Sequence, residues 1–309
     1  MAKVLITGGA GFIGSNLVKK LVGLKHQIII FDNLSTGSLR NLEVVKSKIR
    51  LVRGDIRNLP LLNKTFKAVD YVLHLAALPG VALSVKEPGL VNEVNVDGTV
   101  NVLLASRDNK IKRVIFVSSS SIYGGAGEVN KENQKPEPLS PYAISKITGE
   151  YYAKNFYQLF GLETVCLRFF NVFGPHQNPD SEYAAVIPLF IKLALQGKRP
   201  IIFGDGNQSR DFTYVDNVVS GMILAVKSKK AAGEILNVAC GDCLTVNQLV
   251  KAIGKILNKK IAPIYQQSRP GDIYRSRADI NKAKQILGFK PKVGFEQGLE
   301  KTIAYLKTS

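Results

Sequence analysis

Two hydrophobic periods alternate along the first half of the chain. Short apolar runs rich in β-branched residues predict strands at 3–8 (KVLITG), 27–33 (QIIIFDN), 49–57 (IRLVRGDIR), 69–77 (VDYVLHLAA), 112–124 (KRVIFVSSSSIYG) and 163–174 (ETVCLRFFNVFG). The run at 69–77 is almost wholly apolar, as a strand covered on both faces requires. Between them, 15–24 and 92–109 carry apolar residues at helical spacing, and "SPYAISK" (140–146) opens a helix that continues as ITGEYYAKNFYQLFG. Strand–helix alternation on this scale predicts an α/β fold with a doubly wound parallel sheet. Right-handed crossovers then bring the strands' carboxyl ends to one edge, where ligands bind.

Beyond about residue 175 the pattern changes. Pro, Asn and Asp crowd "GPHQNPDSEYAA", helices are predicted near 186–196 and 216–227, and "EILNVA" can return to the main sheet as a strand. The expected division is a nucleotide-binding Rossmann-type domain at 1–174, rejoined by 212–240, and a smaller α/β substrate domain built from 175–211 and 241–309.

Composition narrows the class. The 309 residues are 45% hydrophobic and 21% charged, ordinary for a globular protein. No apolar run is long enough to span a bilayer, and "MAKVLITGGAGFIG" leads into a strand without a cleavable-signal pattern, so the expectation is a cytoplasmic protein with no membrane partner. The net charge of +18 raises nucleic acid as a partner, but the lysines are dispersed and no nucleic-acid-binding motif accompanies them. A solvated basic surface is expected instead. "CGDC" (240–243) has the spacing of a redox pair or half a metal site. With only Cys166 besides, and His26, His74 and His176 without ligand spacing, no metal is expected and the segment reads as strand, turn and helix start.

The first strand–helix junction is "TGGAGFIG", with Gly8, Gly11 and Gly14. In that context the glycines mark a dinucleotide fingerprint: the backbone of Gly11, Phe12, Ile13 and Gly14 can approach a pyrophosphate, and the helix N-terminus offers it unpaired N–H groups. The second strand ends at Asp32 and Asn33. A carboxylate there accepts from adenosine ribose hydroxyls and repels a 2′-phosphate, so the cofactor expected is NAD rather than NADP. Asp55 and Ile56 follow the third strand, towards the adenine edge; Leu75, Ala76 and Ala77 end the fourth; Asn95 sits near the start of the next helix, where a capping role is the plainer alternative.

In "SPYAISK", Ser140 suits an N-cap and Pro141 the first helical position. Tyr142 and Lys146 then share one helix face. A tyrosine is a poor base at neutral pH, and a neighbouring ammonium favours its phenolate. The "SSSS" at the end of the fifth strand places hydroxyls near the same cofactor edge.

Together "TGGAGFIG", "FDN", "GDIR", "SSSSIYG", "SPYAISK", "LRFFNVFGP", "GDGNQSRDFTYVDN" and "RPGD" resemble the extended short-chain dehydrogenase/reductase family over essentially the whole chain. Within it the set most resembles the nucleotide-sugar 4-epimerases, the UDP-N-acetylglucosamine 4-epimerases above all. The resemblance implies NAD-dependent inversion at C4 of a UDP-sugar through a 4-keto intermediate. It makes Ser119, Tyr142 and Lys146 catalytic, Tyr142 as the acid/base, with Tyr142 and Lys146 also touching NAD. It puts Ser120 and Val186 beside the sugar, Asn171 on the diphosphate, Phe203 on the uracil, and Arg210, Arg269 and Asp272 on diphosphate and ribose. Family members usually dimerise through the helices here at about 92–108 and 142–160, so a homodimer is expected.

In that family a position just after "GD", here Ser276, lines the sugar pocket, and a small side chain admits an N-acetyl group. "EYAAVIP" (182–188) and "SRDF" also resemble the N-acetylhexosamine branch. UDP-GlcNAc and UDP-GalNAc are therefore the expected substrates, with UDP-glucose and UDP-galactose as further ones. Pro79 departs from the lysine that some hexose epimerases carry near the cofactor diphosphate. The rivals are a 4-epimerase restricted to UDP-glucose, a UDP-glucuronate 4-epimerase and, from another class, a non-catalytic NAD-sensing regulator, which usually loses the Tyr/Lys pair. Dehydratases and decarboxylases need an acidic residue at the fifth strand's end, which "SSSS" lacks.

Overall fold

The computed structural model describes residues 1–125, 127–180, 185–268 and 273–308. The strands, in chain order, are β1 (Lys3–Thr7), β2 (Gln27–Asp32), β3 (Ile49–Arg53), β4 (Tyr71–His74), β5 (Arg113–Ser119), β6 (Val129–Asn130), β7 (Glu163–Phe169) and β8 (Val172–Phe173), then β9 (Ile201–Phe203), β10 (Ser209–Arg210), β11 (Thr213–Tyr214), β12 (Ile235–Val238), β13 (Leu244–Thr245), β14 (Ile264–Gln266) and β15 (Arg275–Ala278). Seven of them form one parallel sheet in the order β12-β7-β5-β4-β1-β2-β3. The strand order reverses between β1 and β4, which makes the carboxyl ends of these strands the binding crevice.

The helices are α1 (Phe12–Gly23), α2 (Leu59–Thr65), α3 (Val81–Lys86), α4 (Pro88–Asn92), α5 (Gly98–Asp108), α6 (Pro141–Phe160), α7 (Val186–Leu195), α8 (Val215–Lys227), α9 (Val246–Leu257), α10 (Asn281–Leu287) and α11 (Phe295–Thr308). Strand alternation sorts the core into two layers. Val4, Ile6, Ile28 and Ile30 pack with Leu17 and Val18 of α1 and Val218 and Met222 of α8. Leu5, Ile29 and Phe31 point the other way, onto Leu62, Val102, Leu103 and Phe156. Each such fully buried aliphatic side chain contributes about 1.5–3 kcal/mol.

A second sheet has the order β13-β10-β15-β6, and β11-β8 and β14-β9 form two-stranded pairs. "EILNVA" does return to the main sheet, as β12 alongside β7.

Several elements differ from their expected extents, and the fourth and fifth strands are shortened to Tyr71–His74 and Arg113–Ser119. The third strand stops at Arg53, because Gly54 N–H bonds to the Asp32 carbonyl and the Asp55 carboxylate takes Arg57 N–H in a turn. The helix expected at 92–109 begins at Pro88, and Glu93–Asp97 widens into a π-turn. Strand 163–174 breaks after Phe169 at Asn171, whose φ of 32° is uncommon for a side-chain-bearing residue.

Candidate active site

The glycines of the first loop act through shape. Gly8 has φ 70°, and a Cβ on it would lie 2.7 Å from Ala76 N. A Cβ on Gly14 would lie 2.2 Å from the Gly8 carbonyl oxygen, so glycine is what lets α1 begin against β1. Gly11 differs: its φ is −75°, and a Cβ there meets only the Gly8 oxygen, at 3.3 Å. Gly11 is the N-cap of α1, with no side-chain cap and no acidic residue in the first turn. Uncapped N–H groups of Phe12 and Ile13 beside a bare Cα suit an approaching pyrophosphate.

Asp32 is buried. Its Oδ2 accepts from Ala10 N–H at 2.9 Å and its Oδ1 from Leu34 N–H at 2.8 Å, which ties the glycine loop to the end of β2. Each oxygen keeps a second lone pair for a ribose hydroxyl. Asn33 Nδ2 donates to Asp55 at 3.1 Å, and Arg57 makes a two-pronged contact with the same carboxylate, which lowers Asp55 to about 2. The Ile56 side chain belongs to the core, so only its backbone is free to meet a ligand.

Leu75, Ala76 and Ala77 are partly exposed beyond β4, and the N–H groups of the first two reach Thr7 Oγ1 at 3.2 Å. Thr99 donates to the Asn95 carbonyl at 2.6 Å, so it accepts from His74 Nε2; His74 Nδ1 then accepts from the Thr7 hydroxyl at 2.7 Å. Burial lowers His74 to about 3, so the ring stays neutral in this chain of bonds. The Asn95 amide is fully used: it exchanges bonds with Leu78 N–H and carbonyl and donates to Ser145 Oγ at 3.1 Å. It ties the cofactor loop to α6 from the π-turn, rather than capping a helix.

Ser140 accepts from Ala143 N–H at 3.2 Å and Pro141 starts α6, so the local reading of "SPYAISK" holds. Tyr142 shares a hydrogen bond with Ser119. Lys146 is buried; its Nζ donates to the Val117 carbonyl at 3.0 Å and lies 5.9 Å from the Tyr142 ring centre. The phenol is nevertheless pushed up, not down: burial outweighs the Ser119 hydrogen bond. Burial also pulls Lys146 down to about 8, against the opposing field of Glu150.

Glu150, one turn beyond Lys146, went unnoticed in the sequence. It is fully buried and accepts from Ser118 Oγ at 2.5 Å and from Arg168 Nε and Nη2 at 2.9 and 2.6 Å. Arg168 Nη1 also donates to Tyr123 at 2.8 Å, whose hydroxyl donates to Asn237 Oδ1 at 2.7 Å. Removing one partner of such a pair strands a buried charge, a cost of about 3–5 kcal/mol. The i+4 step from Lys146 was the signal available for it.

The substrate candidates are carried by several separate elements. Ser120 begins the 3-10 turn capped by Ser119, whose Oγ accepts from Ser121 N–H. Asn171 is exposed. Val186 opens α7, and Phe203 ends β9, partly buried. Arg210 on β10 lies in register with Ser276 on β15. Ala278 shares a buried cluster with Ile122, Tyr123 and Ile147, and Ser276, two residues earlier on the strand, is buried on the same face of β15. Arg269, Asp272 and residues 182–184 of "EYAAVIP" lie outside the described residues.

Beneath Ser276, the buried Asp211 accepts from Cys240, Gly241 and Ala278 N–H groups; burial raises it to about 6. Cys240 and Cys243 are free thiols, which burial pushes up to about 11, so little thiolate exists at neutral pH. Among the described residues no helix is long and apolar enough to cross a membrane, and no cluster of three His, Cys, Asp or Glu could hold a metal.

Proteins of known structure resemble this chain over almost its whole length. The UDP-N-acetylglucosamine 4-epimerase of Methanobrevibacter ruminantium M1, solved with UDP-N-acetylmuramic acid, is 41% identical, with a TM-score of 0.95 over 99% of this chain and 98% of that one. The UDP-glucose 4-epimerase of Thermotoga maritima, solved with UDP-glucose, is 38% identical, with a TM-score of 0.92 over 99% of both chains. A UDP-glucuronic acid 4-epimerase variant of Bacillus cereus, solved with a fluorinated UDP-glucuronic acid and NAD, is 33% identical, with a TM-score of 0.93 over 99% of both. Residues 4–239 match the NAD dependent epimerase/dehydratase family, and with the glycine loop, Asp32 and the Tyr142–Lys146 pair on one sheet edge, the chain belongs to that family.

Proposed function

We propose that the protein inverts C4 of a UDP-sugar, interconverting UDP-GlcNAc and UDP-GalNAc, with UDP-glucose and UDP-galactose as further substrates. What supports the N-acetyl reading is the small side chain of Ser276, buried on β15 in register with Arg210. The related epimerase solved with UDP-N-acetylmuramic acid accommodates a ligand with an N-acetyl group at C2, which supports the same reading.

NAD fits the chain's own residues: Gly11, Phe12 and Ile13 would hold its pyrophosphate, and Asp32 its adenosine ribose. What it supplies when bound is a hydride acceptor that is also a donor, and a positively charged ring that favours the Tyr142 phenolate. Tyr142 takes the proton of the 4-hydroxyl as that carbon becomes a ketone, and returns it after the opposite face of the sugar has been presented. Ser119 holds the reacting oxygen. Asn171, Phe203, Arg210, Arg269 and Asp272 anchor the UDP while the sugar turns. In this division 1–174 with 212–240 serves the cofactor, and 175–211 with 241–309 serves the UDP-sugar.

Assayed side by side, UDP-GlcNAc and UDP-glucose should both be epimerised. Turnover of UDP-glucose with UDP-GlcNAc untouched would defeat the N-acetyl reading. Ser276→Tyr should cut UDP-GlcNAc turnover about a hundredfold, ~2.7 kcal/mol, and leave UDP-glucose within tenfold.

The reading includes a homodimer. Ile144, Tyr151, Tyr152 and Leu159 form an exposed stripe along α6, which a second copy would cover. Sedimentation velocity at micromolar concentration should give a dimer; a monomer throughout removes this part.

A further inference from the structure

The last three residues of β5 are each tied to α6. The Val117 carbonyl accepts from Lys146, the Ser118 hydroxyl donates to Glu150, and Ser119 bonds to Tyr142. Tyr142, Lys146 and Glu150 follow one another at steps of four along one helix face. Arg168, in register with Ser118 on the neighbouring strand, closes on Glu150 from the sheet side.

We propose that Glu150, locked by Arg168 and Ser118, is a positioning residue that keeps Lys146 protonated and its ammonium aimed at the strand edge. This rests on the reading of Tyr142 and Lys146 as the reacting pair. Among the described residues, Glu150 is the negative charge that acts on Lys146. Tyr142 is a raised phenol on the same helix. His74 on β4 is a neutral ring, Cys166 on β7 a neutral buried thiol, and Arg168 a cation held by Glu150 itself. Burial already brings Lys146 to about 8, so losing the carboxylate moves it into the working pH range.

The experiment compares pH–rate profiles of the wild type, Glu150→Gln and the double variant Glu150→Gln/Arg168→Gln, which removes the Glu150–Arg168 pair as a whole and strands neither of its partners. The wild type should lose kcat on the basic side near pH 8. In either folded variant this limb should move at least one pH unit lower, with KM for the UDP-sugar changed less than threefold. A second readout needs no turnover. A buried lysine with a lowered pKa gives up its proton in the folded state while the unfolded chain still holds it, so its contribution to stability rises with pH from about 8. In the variants that rise should begin at lower pH, seen as a difference in melting temperature. A folded variant with both features unmoved overturns the proposal, as does failure of both variants to fold, which would make the pair a folding element. A wild type without epimerase activity would count against the underlying reading, while the melting difference still tests the role of Glu150.

Discussion

Tyr142→Phe is expected to lower kcat for C4 epimerisation by about three orders of magnitude, ~4 kcal/mol of transition-state stabilisation. The change removes one oxygen at the edge of the crevice and leaves the ring. In the proposed mechanism that oxygen, bonded to Ser119 and carried on the ring beside Lys146, takes the proton and gives it back on the opposite course. Burial raises the phenol, so the free protein holds the residue protonated at neutral pH. In the proposed reading the shift to phenolate comes from the Lys146 ammonium together with the positive charge that bound NAD would supply. The fold should be indifferent to the change, since among the described residues the hydroxyl's partner is Ser119, and α6 keeps its Ser140 cap. Melting within about 2 °C of the wild type, retained NAD and an unchanged KM would assign the loss to proton transfer. Turnover within a few-fold of the wild type would end the assignment of Tyr142 as acid/base.

The elements legible in the sequence are those set by local chemistry. β1, α1 and β2 followed from apolar period and glycine placement, and α6 from Ser140 and Pro141, because each is decided within a few residues. Of the two-residue strands only β8 fell in a run that reads as strand: β6, β10, β11 and β13 are too short to show a period, and β6 enters its sheet only because Asn130 pairs with Ala278, far along the chain. The π-turn at Glu93–Asp97 was hidden for a related reason. An extra residue per turn barely disturbs an apolar pattern read at helical spacing. In the site, the Tyr142–Lys146 pair is local and was visible. The Glu150–Arg168 pair joins a helix to a strand, and alone Arg168 reads as a charge interrupting the apolar run "CLRFF". The expectation that failed in sign, a lowered Tyr142, weighed the lysine's charge and not the burial that both residues share.

The second large effect separates the glycines. Gly14→Ala should destabilise the protein by about 3 kcal/mol, because its Cβ would sit 2.2 Å from the Gly8 carbonyl oxygen and 2.8 Å from Gly9 Cα, and both are backbone atoms without a rotamer to yield. Relief requires α1 to move off β1, so the melting temperature should fall by roughly 6–12 °C whether or not NAD is present. Gly11→Val should behave in the opposite way. Its backbone lies where any residue is allowed, and the nearest atom to a new Cβ is 3.3 Å away, so the protein without cofactor should melt within about 2 °C of the wild type. The branched side chain then occupies the approach to the uncapped N-terminus of α1, and NAD affinity should drop about a hundredfold, ~2.7 kcal/mol, measured by calorimetric titration. One glycine is thus required by the fold and the other by the ligand, although they are three residues apart in the same motif. If Gly11→Val bound NAD as tightly as the wild type, the pyrophosphate could not pass over α1's first turn, and the placement of the cofactor in the β1–α1 crevice would have to be abandoned.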